Sequence, residues 1–216
     1  MPDLDFQVVG AEVLEYAAVP SLRFELRVEN LEGEPVRSVA LNAQVRISAT
    51  QRHHEPPEQE RLWDLFGEPQ RWGSTLRSLL WTQTTIQIPP FSGGTLADLP
   101  VTCTYDLEVA ASKYFHALED GGEVPLEFLF SGTVFYTAED GRLQTAMISW
   151  EKEAEYRMPV RLWREMMDHY FPGTAWVRLR RDVFDRLYEH KVRGGFSSWE
   201  SAVESLLAAS EQEVRR

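Results

Sequence analysis

The sequence predicts an α+β protein: a mainly antiparallel β-sandwich of about seven strands followed by a C-terminal helical subdomain. Three observations carry this prediction. Apolar and polar residues alternate with a period of two in one segment after another up to about residue 150, the pattern of half-buried strands. Turns separate these segments and no amphipathic crossover helix intervenes, so neighbouring strands run antiparallel. Past Tyr156 the apolar period lengthens to about 3.6 and stays there.

The elements follow in order. A first strand is expected within residues 6–16. Residues 21–29, SLRFELRVE, send Leu22, Phe24, Leu26 and Val28 to one face and Arg23, Glu25, Arg27 and Glu29 to the other. NLEGEP, residues 30–35, is a turn into a longer strand in which Val39, Leu41, Ala43, Val45 and Ile47 alternate with Ala40, Asn42, Gln44 and Arg46. After Ser48 the alternation gives way to QRHHEPPEQE, where Pro56-Pro57 implies extended backbone, and Leu62, Leu65 and Phe66 then form a short helix closed by Gly67. A strand over residues 80–88 stops at Pro89-Pro90, which have no N–H to give a ladder. Val101, Cys103, Tyr105, Leu107 and Val109 alternate with Thr102, Thr104, Asp106 and Glu108, the cleanest strand signal in the chain. Residues 126–136 give another strand, with Gly132 expected at a bulge, and Glu139-Asp140-Gly141 turns the chain into a strand over residues 143–150.

Three helices complete the expectation. Pro159 starts the first, Val160, Trp163, Met166, Met167 and Tyr170 form its apolar face, and Phe171-Pro172-Gly173 ends it. Asp182 caps the second, which carries Phe184, Leu187 and Tyr188 and stops at Gly194-Gly195. Ser197 and Glu200 make a capping box for the third, whose Ala202, Val203, Leu206 and Leu207 face inward. The expected domains are therefore residues 1–155, a sandwich with a Trp-rich helical insertion at about 51–79, and residues 156–216, a helical subdomain packed on the sandwich.

Composition narrows the classes of function. A chain of 216 residues buries roughly 70% of the surface its unfolded form exposes, so its core needs no staples. The one cysteine, Cys103, excludes an internal disulfide and a multi-cysteine metal centre, and fits a reducing cytoplasm. No basic n-region opens the sequence, and no apolar run reaches the roughly 18 residues of a membrane span. Net charge is −14 over residues 1–155 and +2 over residues 156–216. That field repels nucleic acid and anionic membranes and favours basic or neutral partners.

Residue constellations yield no catalytic site and no cofactor. His53 and His54 beside Glu55 invite a metal reading with His116 or Glu60, but adjacent residues in extended backbone point in opposite directions and no HExxH or CxxC spacing supplies further ligands. Cys103 falls on the apolar side of its strand, the place of an inert thiol. Lys113 and His116 lack a third group. Gly93-Gly94 lacks the lysine of a phosphate loop. What remains is aromatic: Trp63, Phe66, Trp72 and Trp81, with Arg71, in or beside the insertion have the composition of a protein interface, and a cover over one side of the sandwich explains them equally.

Two resemblances add to this reading. WVRLRRDVFDRLYEHK with VRGGFSSWESAVESLL, residues 176–207, resembles a ribbon-helix-helix module, which implies DNA binding; the acidic remainder of the chain opposes it. Over nearly the whole chain, RFELRVEN, RLWDLFGEPQRW, LLWTQTTIQIPPF, CTYDLEVAASKYF, VPLEFLFSGTVFY and PVRLWREMMDHYFP with FSSWESAVESLL resemble a family of actinobacterial proteins of unknown function. That resemblance implies a place beside nickel-iron hydrogenase genes, with a hydrogenase subunit or maturation factor as partner, and carries no site residues. The expectation is a cytoplasmic, non-catalytic adaptor that binds another protein; the alternatives are metal handling through His53, His54 and His116, or DNA binding through residues 176–207.

Overall fold

The computed structural model describes residues 2–32 and 35–214, so the centre of the expected NLEGEP turn, Gly33 and Glu34, lies outside the described residues. Two antiparallel sheets form the body. The first has the order β1 (Leu4–Val13), β2 (Ser21–Asn30), β5 (Gly94–Thr102). The second has the order β4 (Leu79–Ile88), β3 (Val36–Ile47), β6 (Glu123–Thr137), β7 (Leu143–Met147), with β8 (Glu153–Pro159) also on β6. Both β7 and β8 run antiparallel to β6, along its C-terminal and N-terminal stretches respectively, so they form one interrupted edge.

Alternation decides which side chains meet between the sheets. Leu22, Phe24, Leu26 and Val28 are buried on β2, and Val39, Leu41, Ala43, Val45 and Ile47 on β3, as their period of two requires. Aromatic rings bridge the layers: Phe6 stacks on Phe130 at 4.5 Å, and Phe24 meets Phe128 edge-on at 5.2 Å. Each such buried ring is worth about 1.5–3 kcal/mol of transfer from water. The architecture is therefore the α+β sandwich that the sequence predicts, with open sheets.

Several expected elements are corrected. The alternation over residues 101–109 does not continue as a strand: β5 ends at Thr102, and the chain turns before helix α4 (Ala110–Ala117). Short polar side chains take over the backbone there. Thr104 Oγ1 accepts the Asp106 N–H at 3.1 Å, and Asp106 Oδ1 accepts the Glu108 N–H at 2.9 Å. Gly132 is not a bulge; β3 and β6 stay in register through the Leu41–Gly132 pair. Its φ is +143°, and a Cβ there would stand 2.0 Å from the Ala40 carbonyl oxygen. Strand β8 occupies residues that the sequence assigns to the approach of a helix.

The insertion holds three short α-helices, α1 (Pro56–Arg61), α2 (Trp63–Phe66) and α3 (Trp72–Thr75), with a 3-10 turn at Pro69–Arg71. Pro56-Pro57 does not keep the chain extended. It forms the first turn of α1, where proline loses no needed N–H, and Glu58 reaches back to the Glu55 N–H at 3.2 Å. Gly67, at φ +71°, closes α2.

The chain divides into two compact units, Met1–Ala175 and Trp176–Arg216. Helix α5 (Val160–Tyr170) belongs to the first, although it opens the helical part of the sequence. Its Trp163 stacks on Phe115 of α4 at 5.5 Å, and the Tyr170 hydroxyl donates to the Ala17 carbonyl at 3.1 Å. The second unit contains α6 (Arg181–Arg193) and α7 (Trp199–Val214). Arg180 is the N-cap of α6, which places Asp182 in its first turn instead of at the cap. Ser198, not Ser197, caps α7 through the Ser201 N–H at 3.1 Å. Among the described residues no helix is long and apolar enough to cross a membrane.

Candidate functional site

The five candidate interface residues divide into two groups. Phe66 is buried, and Trp72 and Trp81 are half-buried against the core. Trp81 meets Phe24 at 6.1 Å and Phe115 at 4.9 Å. Trp72 meets Phe66 at 5.9 Å and donates its indole N–H to the Gly67 carbonyl at 3.0 Å. Trp63, 55% exposed, and Arg71 stay on the surface. Covering the core thus accounts for three of these five residues.

The histidines named for a metal do not converge. His54 is buried, shares a hydrogen bond of 2.9 Å with the Tyr114 hydroxyl, and lies edge-on to Trp72 at 5.4 Å. Burial lowers its pKa from 6.5 to about 4, so the ring is neutral at physiological pH. His53 is exposed, 3.6 Å from Glu55, and His116 lies on the exposed side of α4. Among the described residues no group of three His, Cys, Asp or Glu could hold a metal ion. Beneath His54, Arg52 binds the buried Glu58 carboxylate at 2.8 Å. Burial pushes Glu58 up, but hydrogen bonds from the Glu119 N–H and Arg52 outweigh it and hold the carboxyl below its usual range. This network pins the insertion to α4 and to the turn after it.

Nor do the nucleophile candidates have the state that chemistry needs. Burial pushes the Cys103 thiol up to about 12, far from the thiolate a reaction would use. Lys113 is ion-paired with Asp64, whose hydrogen bond raises its pKa and keeps it cationic. A groove of about 490 Å³ runs between α4 and α5, with Tyr105, Trp163, Met167 and Phe171 among its walls. Arg164 on its rim is already bound to Asp120 at 2.6 Å.

The largest departure from expectation lies on α6 and α7. Of the four α7 residues expected to face inward, only Ala202 is buried; Val203, Leu206 and Leu207 are exposed, Leu207 at 60%. On α6, Phe184, Tyr188 and Val192 are exposed as well. The two helices meet through rings, Phe184 on Trp199 at 5.4 Å and Tyr188 on Trp199 at 6.2 Å, with Lys191 over the Trp199 face at 5.8 Å. A sequence signal for this existed: α7 carries Trp199, Ala202, Val203, Leu206 and Leu207 and α6 carries Val183, Phe184, Leu187, Tyr188 and Val192, more apolar surface than two helices bury against each other. Among the described residues three arginines of this unit are ion-paired, Arg180 with Asp182 at 3.3 Å, Arg181 with Asp185 at 3.0 Å and Arg193 with Glu189 at 3.1 Å. Each pair weakens the positive field that phosphate attraction uses.

The family of unknown function DUF6084 matches residues 1–215, so the chain belongs to that family. No curated protein matches it. Among solved structures it is similar to the CARDB domain of the PF1109 protein from Pyrococcus furiosus, solved with di-metal ions, at 13% identity over 73% of this chain and 87% of that one, TM-score 0.28. It is also similar to β-glucosidase from Kluyveromyces marxianus, at 13% identity over 73% of this chain and 15% of that one, TM-score 0.26. A third match is β-glucosidase 3B from Thermotoga neapolitana, at 11% identity over 72% of this chain and 17% of that one, TM-score 0.25. These matches assign no activity.

Proposed function

We propose that this member of the DUF6084 family is a cytoplasmic, non-catalytic adaptor that binds another protein through the apolar surface of its C-terminal helices. One observation carries the reading: Tyr188, Val192, Val203, Leu206 and Leu207 are exposed on two helices that together fully bury only Ala202 among their described apolar residues. A unit of this size gains too little from its own core to be stable on that alone. Seating a leucine in a partner's groove recovers about 1.5–3 kcal/mol per side chain, and α7 presents its apolar residues at the i, i+3, i+4 spacing of helix-in-groove recognition. Charge agrees with the placement. Residues 1–175 carry a net −13 and residues 176–216 a net +1, so a neutral partner meets the weakest field at the helices. The sequestered thiol of Cys103, the ion-paired Lys113 and the neutral, buried His54 support a role without chemistry.

The resemblance to actinobacterial proteins encoded beside nickel-iron hydrogenase genes gives the partner class: a hydrogenase subunit or maturation factor. Tagged full-length protein and its Leu206→Asp/Leu207→Asp variant, purified side by side from the native host, test this. The wild type is expected to retain a hydrogenase-system protein at stoichiometric level, and the variant to lose it at an unchanged thermal midpoint. Equal retention by both proteins, or no such protein with either, contradicts the reading.

A further inference from the structure

Strand β7 closes one edge of the second sheet and leaves half its backbone unpaired among the described residues. The Ile148 N–H donates to the Gly132 carbonyl at 3.0 Å, and the Ala138 N–H to the Arg142 carbonyl at 2.9 Å. Alternation then aims the N–H and C=O of Gln144 and Ala146 at β6, and those of Leu143, Thr145 and Met147 away from the sheet. Three other edges are guarded. β1 carries Asp5, Glu12 and a register break between Val8 and Gly10; β5 carries Asp98 and Pro100; β8 carries Glu153, Glu155 and Arg157. β4 also has no charge, but it does not carry exposed apolar residues at both ends of its edge as β7 does. β7, LQTAM, has neither charge nor proline, and its Leu143 and Met147 are 65% and 73% exposed.

The exposed apolar residues of β7, Leu143 and Met147, lie two positions either side of Thr145. Laid antiparallel on a second β7, Thr145 faces its own copy, Leu143 faces Met147, and Gln144 faces Ala146. Every outward N–H and C=O of the strand then has a partner, both exposed apolar side chains are paired across the strands, and no charge within β7 opposes a like charge. We infer that the chain forms a two-fold symmetric homodimer by pairing β7 with β7 of a second copy, which continues the second sheet across the interface. The dimer presents two C-terminal helical units, and so offers a partner two sites at once.

Three full-length variants test this beside the wild type. Sedimentation of the wild type is expected to give a dimer. Leu143→Lys/Met147→Lys, which changes only exposed side chains, is expected to give a folded monomer by removing the apolar pairs and placing like charges near one another. Thr145→Cys is expected to form a disulfide-linked dimer on mild oxidation, since the symmetry axis brings that position against itself, while the buried Cys103 stays unreactive. Leu206→Asp/Leu207→Asp is expected to remain dimeric, which separates this contact from the helical surface. A monomeric wild type, a dimer that survives the lysine pair, absence of the disulfide cross-link in the Thr145→Cys variant, or a dimer lost only with the α7 variant would each overturn the inference.

Discussion

Gly132 occupies a position on β6 where no other residue fits. Its φ of +143° lies outside the range of L side chains, and the Ala40 carbonyl fills the space of a Cβ. Gly132→Ala is expected to cost about 3 kcal/mol or more, read as a lowered urea midpoint with unchanged slope. His54 gives a pH-dependent counterpart. The unfolded chain binds its proton near pH 6.5 and the folded chain near pH 4, so stability is full above 6.5 and falls as pH drops towards 4. The loss is about 3 kcal/mol at the lower end. Urea midpoints measured against pH should show this decline, and His54→Gln should flatten it. Glu58, held below its ordinary 4.5, adds its own loss only beneath that pH.

At the scale of elements, sequence patterns were legible wherever one physical force dominated. Alternation located β2 and β3 because each has one buried and one wetter face, and the 3.6-residue period located α5 because Val160, Trp163, Met166 and Met167 are all buried. The alternation after Val101 misled because Thr104 and Asp106 turn the backbone with their own side chains, a competition that hydropathy does not register. β8 was hidden by its neighbour: residues 153–159 pair with β6 over a stretch that also leads directly into α5. Of the candidate interface, Trp63 and Arg71 remain on the surface, whereas Phe66, Trp72 and Trp81 face the core, because composition alone does not say on which side of a short helix or of a strand a ring falls. The cap of α7 was displaced by one residue, as adjacent serines make equal signals. Ser198→Ala should cost the second unit about 1 kcal/mol, seen as faster amide exchange in the first turn of α7 with no change in the sandwich.

For the whole molecule, the same residues tell of two different balances. Residues 1–175 bury an extensive core between two sheets and carry most of the negative charge; residues 176–216 bury little, are near neutral, and expose leucines, valines and a tyrosine. The first balance is that of a core sufficient in itself; the second leaves an exposed apolar surface on α6 and α7, which is the proposed binding site. The most direct measurement is hydrogen–deuterium exchange on the full-length protein, free and bound to the partner that the proposal expects to copurify with it. Protection is predicted to concentrate in residues 184–192 and 199–207. Protection confined to Trp63 and Arg71 or to the groove between α4 and α5, with the C-terminal helices exchanging as fast as in the free protein, would contradict it.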